Sequence, residues 1–313
     1  MKVRLKLIFL NICLIIVTYY VIIYLLFHFQ FQKTPLIKYV QNGILLDKGI
    51  FQRASSEIDT IVKVDILFFG SSHAYRAFDP NVLKKYGFNS YNLGSSSQSP
   101  LNSYFLMKKY IQKCNTVILE VYPVAFSING SESFVDLVRA EPNYLDLFFH
   151  AAAIGQVMPF QNISVKPFSD NYIKGQKEDF CIYRQGYVEV YDSAGNKNID
   201  YLQVTLNEKL MDKQFKYLKK IISLCDNQNK ELILVYAPVP SKHQMVNEVY
   251  YKKSLHQITE EHKIPFFDMS RSLPLSDSNH FFDDDHMNAA GVAIFNQYLS
   301  IALKQHLGPK INK

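Results

Sequence analysis

Short apolar runs alternate along most of this chain with stretches whose apolar residues recur every three to four positions. Val64–Phe69 (VDILFF), Ser90–Leu93, Thr116–Val121 (TVILEV), Glu231–Ala237 (ELILVYA) and Ile264–Asp268 (IPFFD) are too short for helices. They read as strands, and the continuous apolar character of Val64–Phe69 predicts a buried one. Between them, Asp79-Pro80 predicts a helix with Asp as N-cap and Pro at the first helical position, ending before Gly87. Ser99-Pro100 opens a second helix that runs to about Lys113, after the loop Gly94–Gln98. Met211, Phe215, Leu218, Ile222 and Cys225 fall at helical spacing, and Asn288–His306 reads as the last helix. Strand–helix alternation of this kind predicts an α/β fold with three layers, α/β/α, around a parallel sheet. The stretch from about Ser127 to Asn207 is aromatic, polar and without period. It reads as an insertion at about 127–207 that caps or lines a site.

The N-terminus departs from this pattern. Leu7–Phe29 (LIFLNICLIIVTYYVIIYLLFHF) has no Asp, Glu, Lys or Arg, and about 20 such residues span a bilayer core as a helix. Lys2, Arg4 and Lys6 precede it, so the positive-inside rule places the N-terminus in the cytoplasm and the rest of the chain on the extracytoplasmic face. A cleaved signal peptide is the alternative. Against it stand the length of the run and the residues that follow, His28, Phe29, Gln30 and Phe31, which make no small-x-small cleavage site. The expected organisation is a cytoplasmic stub and transmembrane anchor at 1–31, a stalk or packing segment at 32–63, and an α/β domain at 64–310.

Composition narrows the picture further. At 313 residues and 48% hydrophobic the chain can bury a full core. Its net charge of +6 is small and scattered, which excludes a nucleic-acid surface as the expected partner. With 21 Tyr, 23 Phe and no Trp, aromatic residues suit a core or a carbohydrate-facing groove. Cys13, Cys114, Cys181 and Cys225 form no CxxC pair and have no His at metal-finger spacing, so the expectation is buried free thiols, with no structural metal and no cofactor.

Two segments carry candidate chemistry. FFGSSHAYRAFDP (Phe68–Pro80) sends a strand into Gly70-Ser71-Ser72-His73. A serine there is exposed on a tight turn, with backbone N–H groups near enough to hold an oxyanion. An ordinary βα loop that caps a helix is the other reading of that segment. No Gly-rich phosphate loop of either common pattern is present. FFDDDHMNAAG (Phe281–Gly291) places Asp283 three residues before His286, so the carboxylate can fix the imidazole tautomer that leaves the other nitrogen free to take a proton. Helix-capping acids, or a divalent metal held by His280, Asp283, Asp285 and His286, are the alternatives.

Serine after the first strand together with D-x-x-H before the last helix resembles the SGNH/GDSL family of serine hydrolases. The resemblance covers roughly Asp65 to Leu303 and implies a flavodoxin-like SGNH hydrolase domain. Gly70-Ser71-Ser72 matches the family's nucleophile motif and makes Ser72 the nucleophile. Asp283 and His286 match D-x-x-H as orienting acid and general base. Gly94, in Tyr91-Asn92-Leu93-Gly94, matches the oxyanion-hole glycine, beside the N–H of Ser72. The family's G-x-N-D is missing: the third strand runs into Glu120-Val121-Tyr122-Pro123. Asn92 or Gln98 is the candidate replacement donor.

The pattern is similar to the membrane-anchored branch of the family that handles acyl groups on envelope polymers, as in alginate O-acetylation and D-alanyl transfer to teichoic acids. It implies an esterase or O-acyltransferase acting on an acylated glycan or another envelope ester, with a membrane acyltransferase as a candidate partner. An SGNH-like binding module without strong activity is the competing class. Metal-dependent hydrolysis through the Asp/His run is a third.

Overall fold

The computed structural model describes residues 2–31, 34–35, 50–140, 181–190, 201 and 203–311. Most of the 127–207 insertion and part of the 32–63 segment lie outside the described residues.

Five strands form one parallel sheet: β1 (Ile66–Phe69), β2 (Ser90–Asn92), β3 (Thr116–Glu120), β6 (Glu231–Tyr236) and β7 (Phe266–Asp268). Their spatial order is β7-β6-β3-β1-β2, with Leu67 opposite both Tyr91 and Val117, Leu119 opposite Leu234, and Phe267 opposite Val235. The strand order reverses between β1 and β3. In an open parallel sheet the crevice at the carboxyl ends of such neighbours is where ligands bind.

Side chains alternate across the sheet, and both faces are covered, as the continuous apolar runs require. Leu67, Phe69, Val117, Leu119, Leu232 and Leu234 pack under α2 (Ile50–Thr60), α5 (Pro100–Tyr110), α7 (Glu208–Asn227) and α8 (Glu248–His262). Ile66, Phe68, Ile118, Ile233 and Val235 face α3 (Ser72–Ala77), α4 (Pro80–Lys85) and α9 (Ala289–Ile311). This is the three-layer arrangement the alternation predicts. Local chemistry sets the helix starts. Asp79 accepts the N–H of Asn81 ahead of Pro80, and Ser99 accepts that of Asn102 ahead of Pro100. Cys114 and Cys225 are buried free thiols.

Two strands from the insertion, β4 (Cys181–Arg184) and β5 (Tyr187–Val190), form an antiparallel hairpin. Its turn, Gln185-Gly186, has positive φ at both residues, the geometry that matches the twist of a two-residue hairpin. The turn seats on the edge of the main sheet: the N–H of Asn92 donates to the Gln185 carbonyl at 3.0 Å. A Cβ on Gly186 would fall 1.8 Å from the Asn92 carbonyl oxygen. The hairpin thus covers an otherwise open strand edge.

At the N-terminus α1 (Lys2–His28) is a 27-residue helix, about 40 Å long at 1.5 Å per residue. Leu7, Ile8, Phe9 and Leu10 are all exposed, so apolar surface faces outward around the helix instead of along one stripe. Among the described residues no helix is long and apolar enough to cross a membrane. Several side chains in the second half of α1 lie outside the described set, whereas the sequence run Leu7–Phe27 is free of charge.

Candidate active site

β1 ends at Gly70, whose φ of +143° sits in a region that side-chain-bearing residues rarely adopt. The turn carries Ser71 into the N-cap position of α3, where its hydroxyl accepts the N–H of His73 at 3.2 Å. Ser72 is therefore the first helical residue, half-buried, with its hydroxyl toward the carboxyl ends of β1 and β3. Beneath the turn lies Glu120, the last residue of β3 and fully buried. Its Oε2 accepts both the N–H (3.2 Å) and the hydroxyl (2.9 Å) of Ser71. Burial pushes the Glu120 carboxyl up to about 7, against those hydrogen bonds, which favour its charged form.

The loop before α9 brings the second segment to the same place. Asp283 Oδ1 accepts the backbone N–H groups of Asp285 (3.1 Å) and His286 (2.7 Å), which folds the acidic run back on itself. His286 Nδ1 then lies 3.0 and 2.9 Å from the two oxygens of Asp283, and its Nε2 lies 2.7 Å from Ser72 Oγ. Ser72, more than 200 residues away in the chain, joins His286 and Asp283 in one continuous hydrogen-bonded row. Arg76, one turn further along α3, places Nη1 3.8 Å from Asp283 Oδ2.

Burial opposes a charge on His286, but the carboxylates of Asp283 and Asp285 outweigh it and push the ring up to about 9. A base that accepts the serine proton must be neutral at Nε2, so the competent fraction grows as pH rises through that value. Ester turnover is expected to climb between about pH 7 and 9, well above the ordinary histidine value of about 6.5. A rate-against-pH profile checks this, and a plateau reached near pH 6.5 would contradict it. The same shift contributes to folding stability: it is fully present below about pH 6.5 and is lost as pH rises through about 9.

The expected oxyanion donors are engaged differently. The N–H of Gly94 donates to Asn92 Oδ1 at 2.9 Å. Asn92 Nδ2 donates to the carbonyls of Ala74 (2.8 Å) and Phe78 (3.1 Å), tying β2 to α3. Gln98 is buried, with Oε1 accepting from Ser95 and Nε2 donating to Ser103. Gly94 is instead a packing glycine, because a Cβ there would lie 2.9 Å from Ala74 Cβ and from the Tyr75 nitrogen. These three residues build the wall of the site and keep the loop after β2 in place. The backbone N–H of Ser72 stays a candidate donor, since the first N–H groups of a helix have no intrahelical partner.

Four further residues surround the row. His73, buried and neutral, is pushed down to about 3 by burial. Its ring lies 3.7 Å from that of Tyr122 and 4.8 Å from that of His286. Tyr122, His243 and Asp285 complete the group. Tyr122 and His243 lie outside both motif segments. For Glu120 the sequence does hold a signal: a lone acid at the end of an otherwise apolar strand points to a buried carboxylate.

Among the described residues, ligand atoms of His73, Asp285 and His286 lie within 4.8 Å of one another, as do those of the three consecutive aspartates. His280, the fourth ligand of the metal reading, instead accepts the N–H of Ser276 at its Nδ1. Both His286 nitrogens face protein partners, and His73 Nε2 faces the Asp285 carbonyl. Both nitrogens of His286 are thus committed to the hydrogen-bonded row.

No protein-family model matches the sequence, and no curated protein matches it. Solved structures do align with it. A GDSL-like lipase from Bacteroides thetaiotaomicron shares 12% identity over 84% of this chain and 100% of its own, with a TM-score of 0.44. A variant of an acetyl-xylooligosaccharide esterase from Geobacillus shares 15% over 78% of this chain and 94% of its own, with a TM-score of 0.40. A psychrotrophic esterase from Pseudoalteromonas shares 12% over 79% and 100%, with a TM-score of 0.38. The chemistry argued below rests on the geometry of the site.

Proposed function

We propose that the chain is a membrane-anchored, SGNH-type serine esterase or O-acyltransferase acting on acyl groups of cell-envelope glycans or polymers. The observation that carries this reading is the row Ser72–His286–Asp283 at the point where the strand order reverses. His286 Nε2 takes the proton of Ser72 as its oxygen attacks the acyl carbonyl. Asp283 holds Nδ1–H and stabilises the imidazolium that results. The same proton passes to the departing alkoxide, leaving an acyl-serine. Water or a sugar hydroxyl, deprotonated by His286, then releases the acyl group. The N–H of Ser72 is the oxyanion donor in this scheme. An incomplete donor set costs about 10²–10³ in rate per missing donor, so a slow enzyme is the expected form.

The anchor in this reading is the uncharged apolar run Leu7–Phe29, supported by the apolar side chains that α1 exposes. The positive residues before it support an α/β domain outside the cytoplasm in this reading. A membrane acyltransferase that delivers the acyl group fits an anchored domain of this kind, and an acylated glycan fits as donor or acceptor.

One experiment separates the readings. The full chain in detergent is incubated with an O-acetylated oligosaccharide and an unacetylated acceptor, and products are followed by mass spectrometry. Loss of acetyl to water gives an esterase, and acetyl on the acceptor gives a transferase. Unchanged substrate with measurable oligosaccharide binding supports the binding module and sinks the enzyme reading. Unlabelled substrate whose turnover appears only with added divalent metal, and vanishes with chelator, selects metal-dependent hydrolysis.

A further inference from the structure

The acidic run holds more charge at His286 than the row above uses. Asp285 Oδ1 stands 2.6 Å from His286 Nδ1, nearer than either oxygen of Asp283. Asp285 is also the less exposed of the two acids, with 24% of its side chain accessible against 32% for Asp283. Asp283 shares its charge with Arg76 and with two backbone N–H groups.

Asp285 is fixed at two points. Its backbone carbonyl accepts Nε2–H of the buried His73 at 2.9 Å. Its Oδ2 lies 3.4 Å from the hydroxyl of Tyr122, which in turn lies 2.8 Å from Nε2 of His243. Both His73 and His243 are buried, and among the described residues neither has a partner for Nδ1. A neutral imidazole carries one N–H and one bare nitrogen, and a buried N–H without an acceptor is more costly than a bare buried nitrogen. The proton therefore belongs on Nε2 in both rings, an assignment made from their partners. His243 then donates to the Tyr122 oxygen, and the Tyr122 hydroxyl is left to donate to Asp285. His243 is itself held through its carbonyl, which accepts from Arg271 at 2.7 Å. Burial opposes a charge on Asp285, but His286 and His73 hold its carboxyl well below the usual carboxylate range.

We propose that Asp285 is a second orienting acid for His286, and that Tyr122 and His243 position it, so that the base is served by a branched pair of carboxylates. This rests on the reading of His286 as the base for Ser72. Its consequence is tolerance: replacing Asp283 alone leaves a carboxylate on Nδ1, and the correct tautomer persists.

The test is the titration of His286, followed by NMR in the folded full chain in detergent, for wild type, D283N, D285N, the double variant and Y122F. The groups facing the ring are Asp283 and Asp285 from its own loop, with Asp284 beside them. His73 on α3, Glu120 on β3 and Arg76 near Asp283 complete the set. An opposite charge this close moves a titration by about one to three pH units. Each single Asn variant is expected to lower the midpoint by about one unit or more, and the double variant to lower it further. Y122F is expected to lower it by a smaller amount in the wild-type background and to do nothing once Asp285 is Asn. A D285N midpoint equal to wild type, or a Y122F effect that is the same in both backgrounds, overturns the proposal. Ester turnover measured on the same samples keeps the two readings apart. Shifted titrations without turnover in any form leave Asp285 acting on His286 and remove only the serine chemistry.

Discussion

Replacing Ser72 by alanine is expected to lower ester turnover by about 10³- to 10⁶-fold in a protein that still folds. Among the described residues the Oγ of Ser72 is the nucleophilic atom paired with His286 Nε2, at 2.7 Å. Ser71, the adjacent hydroxyl, is turned down onto Glu120 and onto the N–H of His73. Its role in capping α3 also explains why the variant should fold. The turn keeps its N-cap, its Glu120 anchor and its glycine, and loses one half-buried hydroxyl. His286→Ala should cost about as much, and the two together little more than either, because nucleophile and base act as one unit. The comparison is made on purified variants with matched circular dichroism. Turnover of the Ser72→Ala protein within tenfold of wild type would place the nucleophile elsewhere.

Gly70→Ala is expected to be the most damaging small substitution for stability, at about 2–5 kcal/mol. Two costs combine. At φ +143° an alanine is strained whatever surrounds it. Its Cβ would also lie 2.6 Å from Glu120 Cβ, 2.9 Å from Glu120 Oε2 and 3.1 Å from Ala74 Cβ. Glu120 Cβ belongs to a strand paired on both sides, so it cannot retreat. The turn would have to lift, taking Ser72 away from His286. Urea unfolding of Gly70→Ala beside wild type checks this, and a loss of under 1 kcal/mol would show that the turn yields more easily than its packing implies.

The sheet was legible chiefly in β1, β3 and β6, where burial on both faces makes the strand a short continuous apolar word; β2 (Ser-Tyr-Asn) is polar and β7 is only half-buried. The helices with Asp-Pro and Ser-Pro starts were equally plain. Helix α8 was not, because only Tyr251, Leu255, Ile258 and Thr259 are buried along it and most of its length is solvated. The base and its acid were legible because their contact is local, three residues apart in one loop. The oxyanion wall was not. Asn92, Leu93 and Gly94 form a local turn in which the Asn side chain captures the N–H two residues on, a habit of asparagine that competes with any distant role. Nor could the chain alone say which of three consecutive aspartates faces the imidazole. That depends on His73, Tyr122 and His243, residues far apart in sequence that meet only at the carboxyl end of the sheet. The insertion hid its hairpin for a related reason: β4 and β5 gain their place from residues far away in sequence, with Tyr187 packed in the core beside α3 and the Gln185 carbonyl seated on Asn92.

The measurement that bears most directly on the central claim is covalent labelling of the full chain with a fluorophosphonate. A serine paired with a neutral imidazole reacts with it, and an ordinary helix-capping serine does not. Wild type, Ser72→Ala and His286→Ala are run side by side at pH 9, where His286 is competent as a base. Labelling of wild type alone, with the adduct mapped to Ser72, is the predicted result. A folded wild-type protein that takes no label, or a label that survives Ser72→Ala, would contradict the account.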